Sequence, residues 1–546
     1  MITISEYLLL RLKEFGIKHV FGVPGDYNLT FLDYIEDDQD LTWIGTCNEL
    51  NGSYAADGYA RIHGMSALVT TFGVGELSAI NGVAGAYAEF VPVVHIVGSP
   101  SFAKQTNRSL LHHTLANGDF KIFADAYRNI TAMQINLDIE NAAADIDSAL
   151  LKCWQEKRPV YINIPSDIVD EKIPVPTSKL DLTYPKSNQE NLNKAIEFIL
   201  EKIGLAQKPR LLLDLGTARH KLGEKLEALI DTTQIPFATF TMGKNTIPED
   251  HKYFIGFYHG DFGTPGVQQD IESADCILHF GPLMSDLNTG NFTCNLPIDC
   301  TIEIQLNYVK HKNTVYYNVM HNDLINALQE KLVNYKYNNG FTKFVKSHNI
   351  GTLTSNNPIK QEIFWKRVEN LLEENGIVIA ETGSSTFGTY TMPMPKGTTY
   401  INQTLWGSIG YSVGALLGAA CADPNRQCIL FVGDGSFQLT AQAISTVMRN
   451  NLTPIVFLLN NKGYTIERVI HGAKRHYNDV QNWNYANLPK IFGDNVWSTK
   501  VSSEQELEQA LQSLSHHSDK LRFIEIELEP MDLPKMLQKT IDSFVQ

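Results

Sequence analysis

The sequence lacks the cysteine pattern of a disulfide-bonded or zinc-binding protein. It has seven cysteines in 546 residues, an odd number, scattered from Cys47 to Cys428 with no C-x-x-C spacing. Disulfide scaffolds carry even sets of cysteines, and structural zinc sites carry them in close pairs. We therefore expect free thiols, a reducing cytoplasmic location and no cysteine-based zinc site.

Basic runs and long apolar runs are also missing. The net charge is −15, from 60 acidic and 45 basic residues, without a basic cluster, so nucleic acid is not an expected partner. The apolar stretch near the N-terminus, Tyr7 to Leu10, is interrupted by Arg11 and Lys13 before a signal sequence could form. No apolar run is long enough to cross a bilayer, so we expect no membrane partner.

Short apolar runs alternate with helical patterns along most of the chain. This alternation predicts an α/β protein whose parallel sheets carry helices on both faces. The length exceeds what one core can hold, and two polar linkers, near residues 174–189 and 348–358, divide the chain. We predict three doubly wound parallel-sheet domains, over residues 1–180, 190–346 and 359–546.

The most informative stretch runs from Cys428 to Glu467. It reads as a strand over residues 428–432, a helix over 438–449 and a strand over 455–459. Asp434 and Asn461 follow the two strands, so both should lie at the carboxyl edge of the sheet. With the Gly463 carbonyl they form a set of oxygen ligands for Mg²⁺, and the glycines let the backbone approach phosphate. Taken alone, G-D-G could be only a turn; with N-N-x-G one crossover later, it predicts a metal-bridged diphosphate site.

The motifs G-D-G-S and N-N-K-G-Y-T-I-E resemble those of thiamine diphosphate enzymes, and Y-T-I-E resembles the 2-oxo acid decarboxylase branch: pyruvate, indolepyruvate and branched-chain 2-oxo acid decarboxylases. The resemblance implies pyrimidine-binding, central and diphosphate-binding domains, with thiamine diphosphate and Mg²⁺ as cofactors. It also implies non-oxidative decarboxylation of a 2-oxo acid to an aldehyde and CO₂. The cofactor-binding residues that it implies are Glu49, Ser384, Gly407, Ile409, Asp434, Gly435, Ser436, Asn461, Gly463, Tyr464, Thr465 and Ile466.

The resemblance also implies which residues handle protons. Glu49 begins a helix, where a carboxylate is favoured by the helix dipole in any case; in the family resembled, this glutamate protonates the pyrimidine ring of the cofactor. Asp26, His112, His113 and Glu467 would form the proton-handling cluster beside the reactive carbon. From the sequence alone we expect the adjacent histidines to point to different sides and not to chelate one metal.

Five residues are predicted to form the substrate pocket: Thr386, Phe387, Ile466, Thr540 and Phe544. Relatives often carry phenylalanine at the position of Thr386 and methionine at that of Thr540. Both differences shorten the side chain, so we expect branched-chain, longer aliphatic or aromatic 2-oxo acids to be preferred over pyruvate.

In relatives the segments of Glu49 and Asp434 meet across a subunit boundary, which implies a homodimer or homotetramer. Two alternatives share part of the motif set. One is a carboligating or oxidising enzyme similar to acetohydroxyacid synthase or pyruvate oxidase, which lacks the paired histidines and the Y-T-I-E glutamate. The other is a non-catalytic thiamine diphosphate-binding scaffold, which the full set of polar residues disfavours.

Overall fold

The computed structural model describes residues 1–344 and 350–538. In the N-terminal part, six parallel strands lie in the order β3-β2-β4-β5-β7-β6, and β1 pairs with β8 beside them. The strands are β1 (Ile2–Thr3), β2 (His19–Gly22), β3 (Thr42–Gly45), β4 (Ser66–Thr71), β5 (Val93–Ser99), β6 (Gln134–Asn136), β7 (Val160–Pro165) and β8 (Lys172–Ile173). The helices are α1 (Ile4–Glu14), α2 (Leu29–Asp37), α3 (Glu49–His63), α4 (Val74–Ala88), α5 (Phe102–Thr106), α6 (Ile122–Tyr127) and α7 (Ala142–Glu156).

The middle part contains seven strands in the order β11-β10-β9-β12-β13-β14-β15, of which β14 and β15 are antiparallel to their neighbours. The strands are β9 (Pro209–Leu213), β10 (Phe237–Thr239), β11 (Phe254–Phe257), β12 (Cys276–Phe280), β13 (Thr301–Ile304), β14 (Tyr308–His311) and β15 (Thr314–Tyr317). The helices are α8 (Gln189–Leu205), α9 (Leu215–Arg219), α10 (Gly223–Thr233), α11 (Val267–Glu272) and α12 (His321–Lys331). This sheet is therefore mixed rather than wholly parallel, because the connections over residues 305–307 and 312–313 are too short for a parallel crossover.

The C-terminal part again has six parallel strands, in the order β17-β16-β18-β19-β21-β20. The strands are β16 (Ile377–Ala380), β17 (Thr399–Ile401), β18 (Cys428–Gly433), β19 (Ile455–Asn460), β20 (Val496–Val501) and β21 (Leu521–Glu527). The helices are α13 (Gln361–Val368), α14 (Ser384–Thr389), α15 (Tyr411–Ala422), α16 (Asp434–Thr440), α17 (Ala443–Arg449), α18 (Thr465–Ile470), α19 (Leu488–Phe492) and α20 (Glu504–Ser513). When the six strands of each parallel sheet are numbered from 1 to 6 along the chain, both sheets have the same strand order, 2-1-3-4-6-5.

Helices α3 and α15 join the N-terminal and C-terminal parts through a contact between their backbones. A Cβ atom on Gly58 would lie 2.2 Å from the Ala415 carbonyl oxygen, and one on Gly418 would lie 1.7 Å from that of Ala55. Only glycine fits at these two positions. The small residues of α3 therefore allow this close packing, and each of the two helices follows the second strand of its sheet.

The predicted α/β class with three sheet-containing parts is confirmed. Strands covered on both faces are buried throughout, as in β4 and β5. Within residues 1–344 and 350–538, no helix combines the length and the hydropathy needed to cross a membrane. The domain boundaries stay a prediction, and residues 345–346 and 539–546 of the predicted second and third domains lie outside the described ranges.

Candidate active site

Asp434 lies where the sequence places it, at the first residue of α16, directly after β18. Its side chain is buried, with Oδ1 accepting the Gly435 N–H at 2.8 Å and Oδ2 accepting the Gly463 N–H at 3.0 Å. Burial raises the pKa of Asp434 to about 7. A buried carboxylate of this kind is stabilised in its charged form by a cation.

The Asn461 amide completes an oxygen cluster beside this carboxylate. One of its terminal atoms lies 2.8 Å from the Gly463 carbonyl oxygen and 3.1 Å from Asp434 Oδ1, and the other lies 2.8 Å from Thr465 Oγ1. The two oxygens facing Asn461 need a positive partner, which is either the amide N–H or a cation. When the amide oxygen points inward, three oxygens converge, which is the ligand type that Mg²⁺ prefers.

These oxygens border a cavity of ≈ 100 Å³ at the carboxyl edge of the sheet. Every predicted cofactor-binding residue of this part lines it except Gly407: these are Ser384, Ile409, Asp434, Gly435, Ser436, Asn461, Gly463, Tyr464, Thr465 and Ile466. Glu467 lines it too. Gly407 lies in the turn before α15 with a φ of +62°. The cavity walls require glycine at two points, because a Cβ on Gly435 would lie 2.5 Å from the Tyr464 ring and one on Gly463 would lie 2.2 Å from the Asn478 carbonyl oxygen.

Two polar residues at this site were not singled out from the sequence, Glu381 and Thr382. The buried Glu381 carboxylate accepts hydrogen bonds from the Gly410 N–H and from the N–H and hydroxyl of Ser412, so it holds the turn that carries Ile409. Burial raises the pKa of Glu381 to about 7. Thr382 lines the cavity, and its hydroxyl has no hydrogen-bond partner among the described residues. The position of Glu381 directly after β16, like that of Asp434 after β18, was an available signal.

Asp26, His112 and His113 come together in the N-terminal part. Asp26 Oδ2 lies 2.7 Å from His112 Nε2, and Oδ1 lies 3.9 Å from His113 Nδ1. The expectation that the histidines point to different sides is wrong, because His113 has a left-handed backbone with φ of +61° and the two ring centroids lie 4.7 Å apart. Gly73 makes room for this turn, since a Cβ there would lie 2.0 Å from the His113 carbonyl oxygen.

Glu49 does not line the Asp434 cavity of its own chain. It begins α3, is half-buried, and lies beside α4, where a Cβ on Gly75 would be 3.1 Å from Glu49 Oε1. The chain therefore carries two separate groups of predicted site residues. One lies at the edge of the N-terminal sheet and the other at the edge of the C-terminal sheet.

The predicted pocket residues occupy different surroundings. Phe387 packs with Phe257, Tyr390 and Leu537 in an apolar cluster that Ile466 also touches. Thr386 is buried; its hydroxyl donates to the Glu381 carbonyl at 2.7 Å and accepts from the Asn402 amide, and it does not line the Asp434 cavity. Thr540 and Phe544 lie outside the described residues.

Comparisons with known proteins agree with this arrangement. Residues 2–121 match the N-terminal TPP-binding domain of thiamine pyrophosphate enzymes, residues 196–329 match the central domain, and residues 381–526 match the C-terminal TPP-binding domain. The chain is 42% identical to a pyruvate decarboxylase of Aspergillus fumigatus, with 99% of this chain and 97% of the relative covered. It is 42% identical to a pyruvate decarboxylase of Candida glabrata and 41% identical to pyruvate decarboxylase isozyme 1 of Saccharomyces cerevisiae, each with 98% of this chain and 97% of the relative covered.

The relatives are named pyruvate decarboxylases, and the similarity covers nearly the whole length of each chain. This disfavours the synthase, oxidase and scaffold alternatives. The usual cofactors of such enzymes are thiamine diphosphate and Mg²⁺. The chain belongs to the thiamine diphosphate-dependent 2-oxo acid decarboxylases, and it is a carboxy-lyase.

Proposed function

We propose that the protein converts a branched-chain, longer aliphatic or aromatic 2-oxo acid to an aldehyde and CO₂, in preference to pyruvate. The main support for this reaction is that Asp434, Asn461 and the Gly463 carbonyl converge on one side of a cavity that Glu467 also lines. Such a site would hold a divalent metal and the diphosphate of the cofactor, and it would place the Glu467 carboxylate beside the substrate.

We assign Mg²⁺ to Asp434, Asn461 and the Gly463 carbonyl, since their oxygens fit a hard cation. Ser436, in the first turn of α16, would direct its backbone N–H at the diphosphate, and Gly435, whose N–H donates to Asp434, would let the backbone approach it closely. Bound thiamine diphosphate supplies the carbon nucleophile and the electron sink for loss of CO₂.

The chain's own groups would then handle protons. Glu49 would hold a proton at the pyrimidine nitrogen, and Ile409 would support the cofactor from below. Glu467 would face the substrate carboxylate. Asp26 with His112 and His113 would supply and remove protons as the aldehyde forms, because Asp26 Oδ2 already lies within hydrogen-bonding distance of His112 Nε2 and His113 lies beside them.

A second copy of the chain would complete the site. Glu49 stays outside the Asp434 cavity of its own chain, and large apolar side chains near both groups are open to solvent: Val74 is 56%, Leu77 41% and Leu439 49% exposed. Covering such side chains favours association. We propose a homodimer, or a homotetramer built from two dimers, in the cytoplasm.

The substrate preference rests on the space around Phe387. A cavity of ≈ 290 Å³ lies against Phe387, Trp365, Met392 and Met536. Thr386 precedes Phe387 in α14 and does not itself line this cavity; a phenylalanine at position 386 would reach toward it, whereas the shorter threonine does not. A larger 2-oxo acid side chain could extend there. The relatives' names favour pyruvate instead, so the preference has to be measured.

The test is aldehyde formation, coupled to an NADH-dependent alcohol dehydrogenase, from a panel running from pyruvate to phenylpyruvate and indolepyruvate. We expect release that requires thiamine diphosphate and Mg²⁺, with kcat/KM highest for a branched or aromatic acid. A higher kcat/KM for pyruvate would reject the preference and leave the reaction intact. Absence of aldehyde from every acid, with cofactor bound, would reject the proposed reaction.

The substitution Thr386→Phe tests the size argument directly. We expect kcat/KM to fall by about tenfold or more for phenylpyruvate while that for pyruvate changes little, since the added ring removes space. Thr386→Val is the matched control, because it removes the hydroxyl at nearly constant volume. Equal losses for both acids in Thr386→Phe, accompanied by a lowered unfolding temperature, would indicate damage to the fold instead.

A further inference from the structure

Asp26, His112 and His113 have the composition and spacing of a transition-metal site. One ligand atom from each side chain lies within 4.8 Å of the other two. Tetrahedral zinc bound at 2.0–2.1 Å to nitrogen would hold its ligand atoms about 3.3 Å apart. The observed separations, 2.7 Å from Asp26 to His112 and 3.9 Å from Asp26 to His113, lie on either side of that value. Small side-chain rotations would bring all three ligands to one ion.

The backbone fixes this convergence. The left-handed conformation of His113 turns its ring toward the same side as that of His112, and Gly73 leaves room for the His113 carbonyl. His113 Nδ1 is buried without a hydrogen-bond partner among the described residues, so its lone pair is available to a metal. The backbone therefore brings the two imidazoles close together without a bound ion, and only small side-chain rotations remain.

Tyr27 packs against His112 and helps to orient its ring. Its ring stacks on His112, with centroids 5.0 Å apart and planes 11° from parallel. The Tyr27 hydroxyl lies 3.5 Å from His112 Nδ1, on the side of the ring opposite to the nitrogen that faces Asp26. A contact at the second nitrogen orients the ring and leaves Nε2 for the metal.

The ligand chemistry separates this group from the Asp434 cluster. Two imidazole nitrogens and one carboxylate suit zinc and similar divalent metals, whereas the oxygens around Asp434 suit Mg²⁺. We propose that Asp26, His112 and His113 form an inhibitory site for Zn²⁺ or a comparable divalent transition metal, separate from the magnesium site. Metal binding uses the lone pairs with which these groups would accept protons. The inhibition rests on their proposed proton-handling role, but the metal binding does not.

The binding is tested with Co²⁺ as a spectroscopic probe, added to the full chain with thiamine diphosphate and excess Mg²⁺. We expect one Co²⁺ per chain, with the visible absorption of a tetrahedral nitrogen and oxygen site and without the near-ultraviolet band of a thiolate ligand. Zn²⁺ should displace the Co²⁺ signal. Absence of this absorption, or a thiolate band that disappears when the cysteines are alkylated, would overturn the proposal.

Variants locate the ion. In Asp26→Asn, His112→Gln and His113→Gln, Co²⁺ affinity should fall by at least about tenfold each. Two control variants should keep the Co²⁺ signal. Asp434→Asn changes the proposed magnesium site. His476→Gln changes an exposed histidine that lies 3.3 Å from Asp479 and so forms a histidine–carboxylate pair without a second histidine. Unchanged affinity in the first three variants, or a loss in Asp434→Asn, would contradict the assignment.

Inhibition is measured as aldehyde formation during Zn²⁺ titration at saturating Mg²⁺. We expect activity to be lost with one-site saturation and to return when a zinc-selective chelator is added. The residual activity of His112→Gln should require at least about tenfold more Zn²⁺ for half-inhibition. If Co²⁺ binds as expected and Zn²⁺ does not inhibit, the site exists and the proton-handling role is wrong; these two failures are thus distinguishable.

Discussion

At the scale of single residues, Asp434 is the one negatively charged side chain among the proposed Mg²⁺ ligands. Its substitution Asp434→Asn keeps the shape of the side chain and removes the negative charge that the proposed Mg²⁺ needs. We expect kcat/KM for aldehyde formation to fall by about 100-fold or more, with the diphosphate cofactor lost on desalting. Asp494→Asn, at an exposed position, is the control and should keep both properties. A cofactor retained at its original stoichiometry by Asp434→Asn would contradict the assignment.

Glu76 makes stability depend on pH. It accepts the Gly73 N–H at 2.7 Å and the Tyr161 hydroxyl at 2.8 Å, and burial raises its pKa to about 7. Because this pKa is higher in the folded chain than in the unfolded one, the folded state holds the proton more tightly. The resulting stabilisation is complete below about pH 4.5 and is lost as the pH rises to about 7.

The variant Glu76→Gln keeps an acceptor for Gly73 and cannot ionise. Relative to the parent protein, its free energy of unfolding should rise by up to about 1.4 kcal/mol per pH unit between about pH 4.5 and pH 7. Denaturant unfolding at several pH values measures this slope. Glu190→Gln is the control: Lys194 holds the pKa of the exposed Glu190 below its usual value, so Glu190 stays ionised above about pH 4.5 and no slope should appear between about pH 4.5 and pH 7. Parallel curves for Glu76→Gln and the parent would refute the argument.

At the scale of secondary-structure elements, the contact between α3 and α15 depends on glycine. Gly418→Ala should destabilise the protein by roughly 1–3 kcal/mol, since the new methyl group would overlap the Ala55 carbonyl. Gly204→Ala is the matched control in α8, where a Cβ meets nothing within 4 Å. That change should stabilise by about 0.5–1 kcal/mol, because alanine favours helix. Equal effects of the two substitutions in denaturant unfolding would contradict the contact.

Elements with strong local signals could be predicted from the sequence, and those set by distant contacts could not. The strands around Asp434 follow from short apolar runs that end at glycine or asparagine. The helix predicted over residues 438–449 is instead two helices, α16 and α17, with the break next to Thr440. The Thr440 hydroxyl donates to the Gly410 carbonyl at 2.6 Å, a contact that no local pattern reveals.

The candidate site shows the same division. The residues around Asp434 could be predicted because strand ends and glycines mark them. The convergence of His112 and His113 could not, because a single positive φ reverses the usual alternation of neighbouring side chains. The buried position of Thr386 also depends on Asn402 and Glu381, which come from separate segments of the chain.

At the scale of the whole molecule, the separation of Glu49 from the Asp434 cavity predicts complementation between chains. Glu49→Gln and Asp434→Asn should each be nearly inactive alone. When the two variants are dissociated together and reassociated, half of the dimers are mixed and one of the two sites in each is intact. About a quarter of the parent activity should therefore return. Each variant treated in the same way alone is the control, and no recovery in the mixture would place both groups in one chain's site.

The identical strand order of the two six-stranded sheets bears on the origin of the chain. Helices α3 and α15 follow the corresponding strand in each sheet and pack against each other. Their contact is reciprocal, because Gly58 meets Ala415 and Gly418 meets Ala55, as in two helices related by a two-fold axis. Fusion of a gene to its own duplicate, after the encoded domain already paired with itself, would leave this arrangement. Once joined, the copies could diverge. One now carries a histidine and carboxylate cluster at its sheet edge, and the other carries an oxygen cluster suited to a metal ion.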